Sequence, residues 1–151
     1  MIKTIDVKSG ETDGLYQYLS AAVTPRPIAF VSTIDANGNK NLSPFSFFNV
    51  FSINPPILIF SPVRRVRNNT SKHTLDNVHQ IKECVISLVT EEIGQQVSLS
   101  SCEFDAKTNE FEKAGFTEVK SDLITPSRIK ESPINFECKV TDIIALGDKG
   151  G

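Results

Sequence analysis

The sequence contains little of what metal-bound or disulfide-linked folds require. Its 151 residues include three cysteines, two histidines and no tryptophan. Cys84, Cys102 and Cys138 are odd in number, widely spaced and without a C-x-x-C pair, so neither a disulfide framework nor a zinc site is predicted. His73 and His79 would lie on different sides of a helix, which argues against one metal bound by both. We therefore expect free thiols, no metal and a reducing cytoplasm.

Long apolar runs and a strong charge imbalance are absent as well. No run approaches the roughly 18 apolar residues that span a bilayer, and the first six residues are too polar for a signal peptide. The composition, 39% hydrophobic and 23% charged with a formal net charge of -2, is typical of a soluble globular chain. We expect one domain over residues 1–151, without membrane association.

Common nucleotide-binding and hydrolase motifs are missing. The chain has neither G-x-x-x-x-G-K-[ST] nor G-x-G-x-x-G, which excludes a P-loop and a Rossmann fingerprint. It also lacks the G-x-S-x-G elbow that would favour a serine hydrolase. The sequence therefore identifies no catalytic residue.

The first half of the chain predicts β-strands joined by tight turns. Residues 28–34 are rich in β-branched and aromatic side chains, which is typical of a strand. Asn37-Gly38 can supply the positive φ angles of a hairpin turn, so a return strand is expected over residues 41–51. Pro55-Pro56 cannot extend a central strand, and the apolar residues 57–60 predict a short buried strand.

The second half predicts short helices between strands. A helix is expected to begin near Thr74, with Ser71 or His73-Thr74 at its N-terminal cap. Its apolar stripe consists of Leu75, Val78 and Ile81. The other predicted elements are strands at 83–89 and 134–140 and helices at 91–101 and 109–114, the last one stopped by Gly115.

This order of elements predicts a mainly β fold. Strands at hairpin spacing, few helices and no βαβα rhythm favour an antiparallel barrel with helical additions. Residues 148–151 look like a turn after a strand, with nothing following it. The pattern predicts either that the chain is a fragment or that another subunit supplies the missing hairpin partner.

Positive charge is concentrated in residues 26–74. The only carboxylate there is Asp35, and the end of the segment leads into the predicted helix, whose first N–H groups can bind an anion. Ser71 and Thr74 add hydroxyls at that point. The segment therefore predicts a site for a ligand with an anionic tail. Its cations are Arg26, Lys40, Arg64, Arg65, Arg67 and Lys72.

The run of arginines at 64–67 has two other interpretations. It could bind nucleic acid, or it could be an ordinary solvated loop. A pI of about 5.7 disfavours a nucleic-acid footprint, which would normally spread over more of the surface. We expect no nucleic-acid partner.

Aromatic and polar residues are interleaved in the predicted return strand. Ser43, Ser46 and Asn49 are poorly explained by packing, because buried hydroxyls and amides need partners. A heteroaromatic ring edge with N–H and C=O groups would supply those partners. The phenylalanines can equally be core residues of a strand, one by one: Phe45, Phe47, Phe48 and Phe51.

Four segments carry a family resemblance: RPIAFVST (26–33), NLSPFSFFN (41–49), NPP (54–56) and KHTLDN (72–77). In this order they resemble the flavin reductase-like, FMN-binding split-barrel family, which includes flavoredoxin and the reductase components of two-component monooxygenases. The resemblance extends over residues 15–146. It implies a split β-barrel of antiparallel Greek-key type that forms a homodimer and binds FMN at or near the subunit interface.

The resemblance also implies which residues hold FMN. The ring would pack on residues 43–49, and the phosphate would bind to residues 61–74, where Lys72 and Thr74 match best. Members commonly have Lys-Asp-Thr where this chain has Lys72-His73-Thr74, which leaves the role of His73 open. The expected cofactor-binding residues are Arg26, Thr33, Ser43, Pro44, Phe45, Ser46, Phe47, Phe48, Asn49, Ser61, Arg65, Lys72 and Thr74.

The function implied is that of an NAD(P)H-dependent flavin oxidoreductase. NADH or NADPH would give a hydride to the flavin, which would pass electrons to a downstream acceptor. Two alternatives stay open. One is a flavoredoxin-like electron carrier that holds FMN tightly and receives electrons from a redox partner protein. The other is an FMN-binding protein without turnover.

Overall fold

Four antiparallel strands form the central sheet of the structure, a computed structural model that describes residues 4–7, 14–64, 70–102, 104–105 and 108–147. In chain order the elements are α1 (Leu15–Ala22), β1 (Ala29–Ile34), β2 (Lys40–Phe45), β3 (Phe48–Ile53), β4 (Pro56–Phe60), α2 (His73–Gln80), β5 (Glu83–Leu88), α3 (Gly94–Ser100), α4 (Glu110–Ala114), β6 (Glu118–Val119), β7 (Arg128–Ile129) and β8 (Asn135–Lys139). The central sheet has the order β2-β1-β5-β8, and β3–β4 and β6–β7 form two separate antiparallel pairs.

Strand β1 is buried on both faces and divides the core into two clusters. Phe30 points to one face, where it packs with Leu42 of β2 and Phe111 of α4. Val31 points to the other face and belongs to the cluster that contains Val78 of α2. Because side chains alternate along a strand, a single strand supplies both clusters and fixes the helices on either side of the sheet.

The tight turn predicted between β1 and β2 is confirmed. Gly38 has a φ of 88°. The Asp35 carboxylate accepts hydrogen bonds from the backbone N–H groups of Asn37 and Asn39, both at 2.8 Å. The Asn39 side chain donates a further bond at 2.7 Å, which is the main reason why the pKa of Asp35 lies below its ordinary value. The one carboxylate of the basic segment is thus engaged by the turn.

The single return strand expected over residues 41–51 is wrong. The chain forms β2, leaves the central sheet, and then forms β3, which pairs with β4. The β1–β2 ladder ends at the pair Ala29–Phe45. Two residues further, Pro27 would have to donate a ladder hydrogen bond to Phe47, and proline has no N–H. Phe47 instead accepts a bond from the Ser61 N–H at 2.8 Å, at the base of the β3–β4 hairpin.

The strand expected at residues 57–60 is confirmed, but its expected burial is wrong. Ile57 and Ile59 of β4 are 42% and 49% exposed. On β3 the side chains of Phe51 and Ile53 are 63% and 87% exposed. A two-stranded hairpin can form its backbone hydrogen bonds while one of its faces is exposed to solvent. An apolar run therefore predicts a strand but does not show that the strand is buried. Pro56 is compatible with this position because the β3–β4 hairpin is not part of the central sheet, so no central ladder requires an N–H from this residue.

The helices and strands of the second half follow the prediction closely. Helix α2 begins at His73, and Lys72 occupies the N-cap position without a side-chain cap. The cap predicted at Ser71 or His73-Thr74 is therefore wrong. Helix α3 is shorter than the predicted 91–101. Helix α4 has Asn109 as its cap and ends at Gly115, whose φ is 73°. Strands β5 and β8 are confirmed, whereas α1, β6 and β7 were not predicted.

Two sequence expectations lie outside the described residues. The turn at 148–151 is one of them, and the site role of Arg65 is the other. Among the helices that the structure does describe, none has the length and apolarity needed to cross a bilayer.

The double-sided burial of β1 predicts a large effect of truncation at Phe30. This side chain is fully buried, and its ring meets the Phe116 ring edge-on with centroids 5.1 Å apart. Replacement Phe30→Ala should lower the free energy of unfolding in urea by about 3–5 kcal/mol, through lost burial and a residual cavity. Leu123→Ala is the control, because Leu123 is 81% exposed and its loss should change stability by less than about 0.5 kcal/mol. Equal effects of the two substitutions would contradict the assigned core.

Candidate functional site

Two buried hydrogen bonds dock helix α2 on the central sheet. The Asn77 side-chain amide donates to the Thr33 hydroxyl at 3.1 Å, and the Asn41 amide donates to the Thr74 hydroxyl at 2.9 Å. All four residues are buried, and each of the two hydrogen bonds gives both of its polar groups a partner in place of water. The bonds hold the N-terminus of α2 beside strand β2, which places Lys72 at that edge of the sheet.

A groove lies where the α2 N-terminus meets the outer edge of β2. Its volume is about 130 Å³. Three elements supply its walls, namely β2, the start of α2, and the chain around α3 and α4. We call it the edge groove, and its lining residues are Asn41, Ser43, Pro44, Lys72, His73, Ser101, Cys102, Phe104 and Glu110.

The outer edge of β2 presents polar backbone groups to this groove. The Asp35 backbone N–H donates to the Asn39 carbonyl at 3.0 Å, so these two residues form a hydrogen-bonded pair. Such pairs recur at every second position of an antiparallel ladder, so Asn41 and Ser43 are the next residues of β2 whose backbone groups bond to β1. The alternate residues, Leu42 and Pro44, therefore direct their backbone groups away from β1. The Leu42 N–H is bound by the Glu110 carboxylate at 3.2 Å, and Pro44 has none. Their carbonyl oxygens remain as acceptors along the edge.

Glu110 brings an acidic side chain into the edge groove. The basic segment of the sequence, residues 26–74, does not supply one there. Glu110 is 4% exposed. Burial is the main cause that raises its pKa, and the charge of Asp105 contributes, while the hydrogen bond from Leu42 acts in the opposite direction. A carboxyl group whose neutral form is favoured in this way repels a neighbouring anion less than an exposed acid would.

Lys72 supplies the positive charge of the groove. Its Nζ lies 5.0 Å from the centroid of the Phe45 ring, in the geometry of a cation–π contact. The first N–H groups of α2 follow directly, and no side chain caps them. An ammonium group next to uncapped helical N–H groups is an arrangement that binds phosphate.

The residues predicted to bind a cofactor divide into three groups. Ser43, Pro44 and Lys72 line the edge groove. A second group lies behind it in the core: Thr33 and Thr74 are bound to amides, and Phe45 stacks on Phe60 with ring centroids 5.5 Å apart. Thr74 can therefore offer its backbone N–H, since its hydroxyl faces Asn41. The third group lies on the β3–β4 side, and its members are Ser46, Phe47, Phe48, Asn49 and Ser61.

Arg26 connects this third group to helix α1. Its guanidinium donates to the carbonyls of Ser20, at 2.5 Å, and of Val23, at the end of α1. Its Nε donates to the Ser46 hydroxyl at 3.3 Å, and the guanidinium lies 5.7 Å from the centroid of the Phe47 ring. No residue of α1 is buried. Arg26 thus fastens the helix to the β2–β3 turn.

The sequence missed five groove residues, namely Asn41, Ser101, Cys102, Phe104 and Glu110. Asn41 belonged to the recognised NLSPFSFFN segment, so its amide was a usable signal. Glu110 lies 68 residues from its partner Leu42, and only the packing of α4 on β2 brings them together. Nothing in the local sequence could have revealed that contact.

The raised pKa of Glu110 gives a pH dependence that can be measured. The folded chain binds this proton more tightly than the unfolded chain, whose value is near 4.5. Between the two pKa values the folded state holds more protons, so this group makes stability fall as the pH rises through that window. Glu110→Gln keeps an acceptor for the Leu42 N–H and removes the ionisation. The variant should match the wild type below about pH 4.5 and gain stability relative to it at higher pH.

Urea unfolding of both proteins over a pH series would check this, with the exposed Glu112→Gln on the same helix as the control. The control should keep the wild-type pH dependence. A constant difference between Glu110→Gln and the wild type at every pH would contradict the prediction.

Comparison with known proteins shows which family the chain belongs to. The chain is 42% identical over 142 residues to an uncharacterized protein of Aquifex aeolicus (strain VF5), covering 94% of this chain and 72% of that relative. It covers 57% to 65% of four further curated relatives. A crystal structure of nitrilotriacetate monooxygenase component B from Bacillus cereus is 27% identical, with a TM-score of 0.91, over 99% of this chain and 73% of that one.

A second solved structure names the fold. It is a flavin reductase with a split barrel domain from Shewanella frigidimarina, 25% identical with a TM-score of 0.79, over 93% of this chain and 68% of that one. The fold class predicted from the sequence, mostly antiparallel β with a few helices in a split barrel, is thus confirmed. The family profile described as Flavin reductase like domain matches residues 21–150. The chain therefore belongs to the flavin reductase-like family of flavin-related oxidoreductases.

Proposed function

We propose that the chain binds FMN in the edge groove and works as an NAD(P)H-dependent flavin oxidoreductase. The observation that carries the proposal is the meeting of two sequence segments at one place. Ser43 and Pro44, from the segment expected to hold the ring, line the same groove as Lys72, from the segment expected to hold the phosphate. They are far apart in the chain and adjacent in space because α2 docks on β1 and β2.

The phosphate end of this proposal rests on charge and on backbone donors. Lys72 and the first N–H groups of α2 together offer a full positive charge and oriented dipoles. Two acids lie near the start of α2 in an adjoining cavity of about 150 Å³, namely Asp35 and Asp76. Asp35 is held by its turn, and Asp76 accepts a bond from the Ser71 hydroxyl at 2.7 Å. The edge groove is the better place for a dianion because Glu110 is the only acid among the described residues that line it.

The ring end rests on the edge of β2. The flavin ring has one polar edge with an N–H and carbonyl groups and an apolar remainder. The outward carbonyls of Leu42 and Pro44 can accept from such an N–H, and the Ser43 hydroxyl can donate or accept. Pro44 and Phe104 also line the groove and offer apolar surface to the rest of the ring. Bound flavin would supply hydride acceptance itself, so the chain needs to orient the ring and nicotinamide and requires no acid or base of its own.

The names of the solved relatives support the same chemistry. Component B of nitrilotriacetate monooxygenase, the Shewanella flavin reductase and a 2-nitrobenzoate 2-nitroreductase from Pseudomonas fluorescens, 29% identical, share this fold with the chain at 25% identity or more. Oxidation–reduction chemistry is the element common to these names. We extend it to this chain as part of the proposal.

The role proposed for Lys72 predicts a loss of flavin affinity. Hydrogen bonds to charged groups contribute about 1.5–3 kcal/mol, so Lys72→Ala should weaken FMN binding by roughly 10- to 100-fold. Lys82→Ala is the matched control, because Lys82 lies just beyond the opposite end of the same helix. Titration of each purified protein with FMN, followed by flavin fluorescence, would measure both constants. Equal affinities for the two variants would contradict the assignment of Lys72, and no binding by the wild type at micromolar FMN would contradict the flavin site.

Anaerobic mixing with NADH, and separately with NADPH, tests the reductase activity of the flavin-loaded protein. Loss of the flavin absorbance near its visible maximum would support the proposal and identify the nicotinamide used. Flavin that stays oxidised with both nucleotides would favour an electron carrier fed by a redox partner protein, or a binding protein without turnover.

We also propose that two copies of the chain form a homodimer that completes the flavin site. Pockets that bury ligands of this size usually measure about 300–1,000 Å³, whereas the described residues of one chain enclose about 130 Å³ at the edge groove. The β3–β4 hairpin, which follows β2 directly, exposes five large apolar side chains: Val50, Phe51, Ile53, Ile57 and Ile59. Such a patch is typical of a protein–protein interface.

Dimerisation through this hairpin predicts that a charge on it separates the subunits. Phe51→Glu should shift the molar mass measured by light scattering from two chains to one and weaken FMN binding at the same time. Leu123→Glu places the same charge on another exposed apolar residue and should leave both properties unchanged. A wild-type monomer that binds FMN with full affinity would overturn the interface proposal while leaving the flavin site itself intact.

A further inference from the structure

Two of the three cysteines lie opposite each other in the central sheet. Cys84 of β5 pairs directly with Cys138 of β8. Directly paired residues project their side chains to the same face of a sheet, and both belong to the cluster on the α2 side. From this geometry we propose that Cys84 and Cys138 form a reversible disulfide across β5 and β8 when the protein meets a hydroperoxide.

The Cα spacing at this pair lies in the range found for disulfides. The Val140 N–H donates to the Lys82 carbonyl at 2.8 Å, and the Leu88 N–H donates to the Ile134 carbonyl at 3.0 Å. Hydrogen-bonded pairs recur at every second position, so Cys84 and Cys138 form such a pair, with Cα atoms about 5.5 Å apart. Disulfides in proteins join Cα atoms that are roughly 4.4–6.8 Å apart and Cβ atoms that are roughly 3.5–4.5 Å apart. The Cβ atoms of a hydrogen-bonded pair are about 5.5 Å apart, so formation of the bond draws β5 and β8 together at this pair.

The two thiols are already in contact and are chemically unequal. A hydrogen bond between the two thiols raises the pKa of Cys84 and lowers that of Cys138, and burial raises the pKa of Cys84 further. Cys138 can in turn donate to the Phe136 carbonyl at 3.5 Å. Cys138 is therefore the thiol that ionises first, and the thiolate is the form that reacts with oxidants.

Access to solvent follows the same order. Cys84 is buried, whereas Cys138 is half-buried on β8, the last strand in the order of the central sheet. Its strand neighbours on the same face, Phe136 among them, are partly exposed as well. An oxidant small enough to reach β8 would meet Cys138 first and would find Cys84 directly behind it.

The reaction balances with one molecule of hydrogen peroxide. The Cys138 thiolate attacks one peroxide oxygen, the O–O bond breaks, and the sulfur becomes a sulfenic acid while the other oxygen leaves as water. The Cys84 sulfur then attacks the Cys138 sulfur, the S–O bond breaks, and the hydroxyl takes up the Cys84 proton and leaves as a second water. Two thiols have lost two electrons in total to the peroxide. A reducing thiol pool restores the dithiol by exchange.

Cys102 provides an internal control. It lies at the end of α3, is exposed, and pairs with no other cysteine in the described part of the chain. An oxidation that followed exposure alone would modify Cys102 first. An oxidation that followed the cross-strand geometry would join Cys84 to Cys138 whether Cys102 is present or not.

The test uses the intact folded chain and hydrogen peroxide as the probe. The protein is treated with a small excess of peroxide, remaining thiols are alkylated before unfolding, and the intact mass and tryptic peptides are measured. Cys102→Ser should lose both remaining thiols, with a mass lower by two hydrogen atoms and a peptide that links Cys84 to Cys138. A reducing agent should restore the thiols. Cys138→Ser and Cys84→Ala should each lose the linked peptide.

Retention of both thiols by folded Cys102→Ser after peroxide treatment would overturn the proposal. A disulfide that joins two chains, or oxidation confined to Cys102 in the wild type, would do the same. The peptide map of Cys102→Ser decides the question even if Cys84→Ala does not fold, because that protein keeps both cysteines of the pair. The test uses flavin-free protein, because Cys102 lines the edge groove, and its outcome does not depend on whether the chain binds flavin.

Discussion

The whole structure depends on a single strand that is buried on both faces. Alternate side chains of β1 enter two different cores, one under α3 and α4 and the other under α2 and the β3–β4 hairpin. A shift of β1 by one residue would exchange Phe30 with Val31 and disrupt both cores together. This constraint fixes the position of β2 on one side of β1 and of β5 on the other. The candidate flavin site on β2 and Cys84 on β5 are thus on the two strands that flank β1, and Cys138 lies one strand further out, on β8.

At its far end, β1 changes from apolar to polar burial, and that change positions the site. Thr33 and the neighbouring Asn41 each bind a side chain of α2. Apolar packing alone would let the helix slide along the sheet, whereas two buried hydrogen bonds select one position. The selected position brings Lys72 to the edge of β2. Buried Glu110 reaches the same edge from α4. The charge balance of the groove therefore depends on tertiary packing and differs from that of the contiguous basic segment.

Local chemistry explains which parts of this arrangement the sequence could predict. The Asn37-Gly38 turn, the Gly115 helix end and the presence of strand β8 depend on neighbouring residues, and all three are confirmed. The separation of β2 from β3 depends on Pro27, which acts across the sheet on Phe47. The exposure of β4 depends on which other parts of the protein pack on that face of the hairpin, and the sequence of the strand itself does not show this. In the site, Ser43 and Lys72 were found through recognised segments, whereas Glu110 needed the fold. The pairing of Cys84 with Cys138 likewise depends on strand register, which the cysteine spacing does not show.

The outer edge of β2 has one further consequence, for the solubility of the protein. An open strand edge is a template on which another chain can add a strand and start an aggregate. Here two successive outward positions offer no usable donor, since the Leu42 N–H is occupied by Glu110 and Pro44 has none. An incoming strand needs donors and acceptors in alternation, but these two positions offer it acceptors alone. A small ligand with a single N–H can use such a stretch, and a polypeptide cannot continue along it. The proline and the buried acid thus leave this stretch accessible to the proposed cofactor while they oppose the addition of another strand.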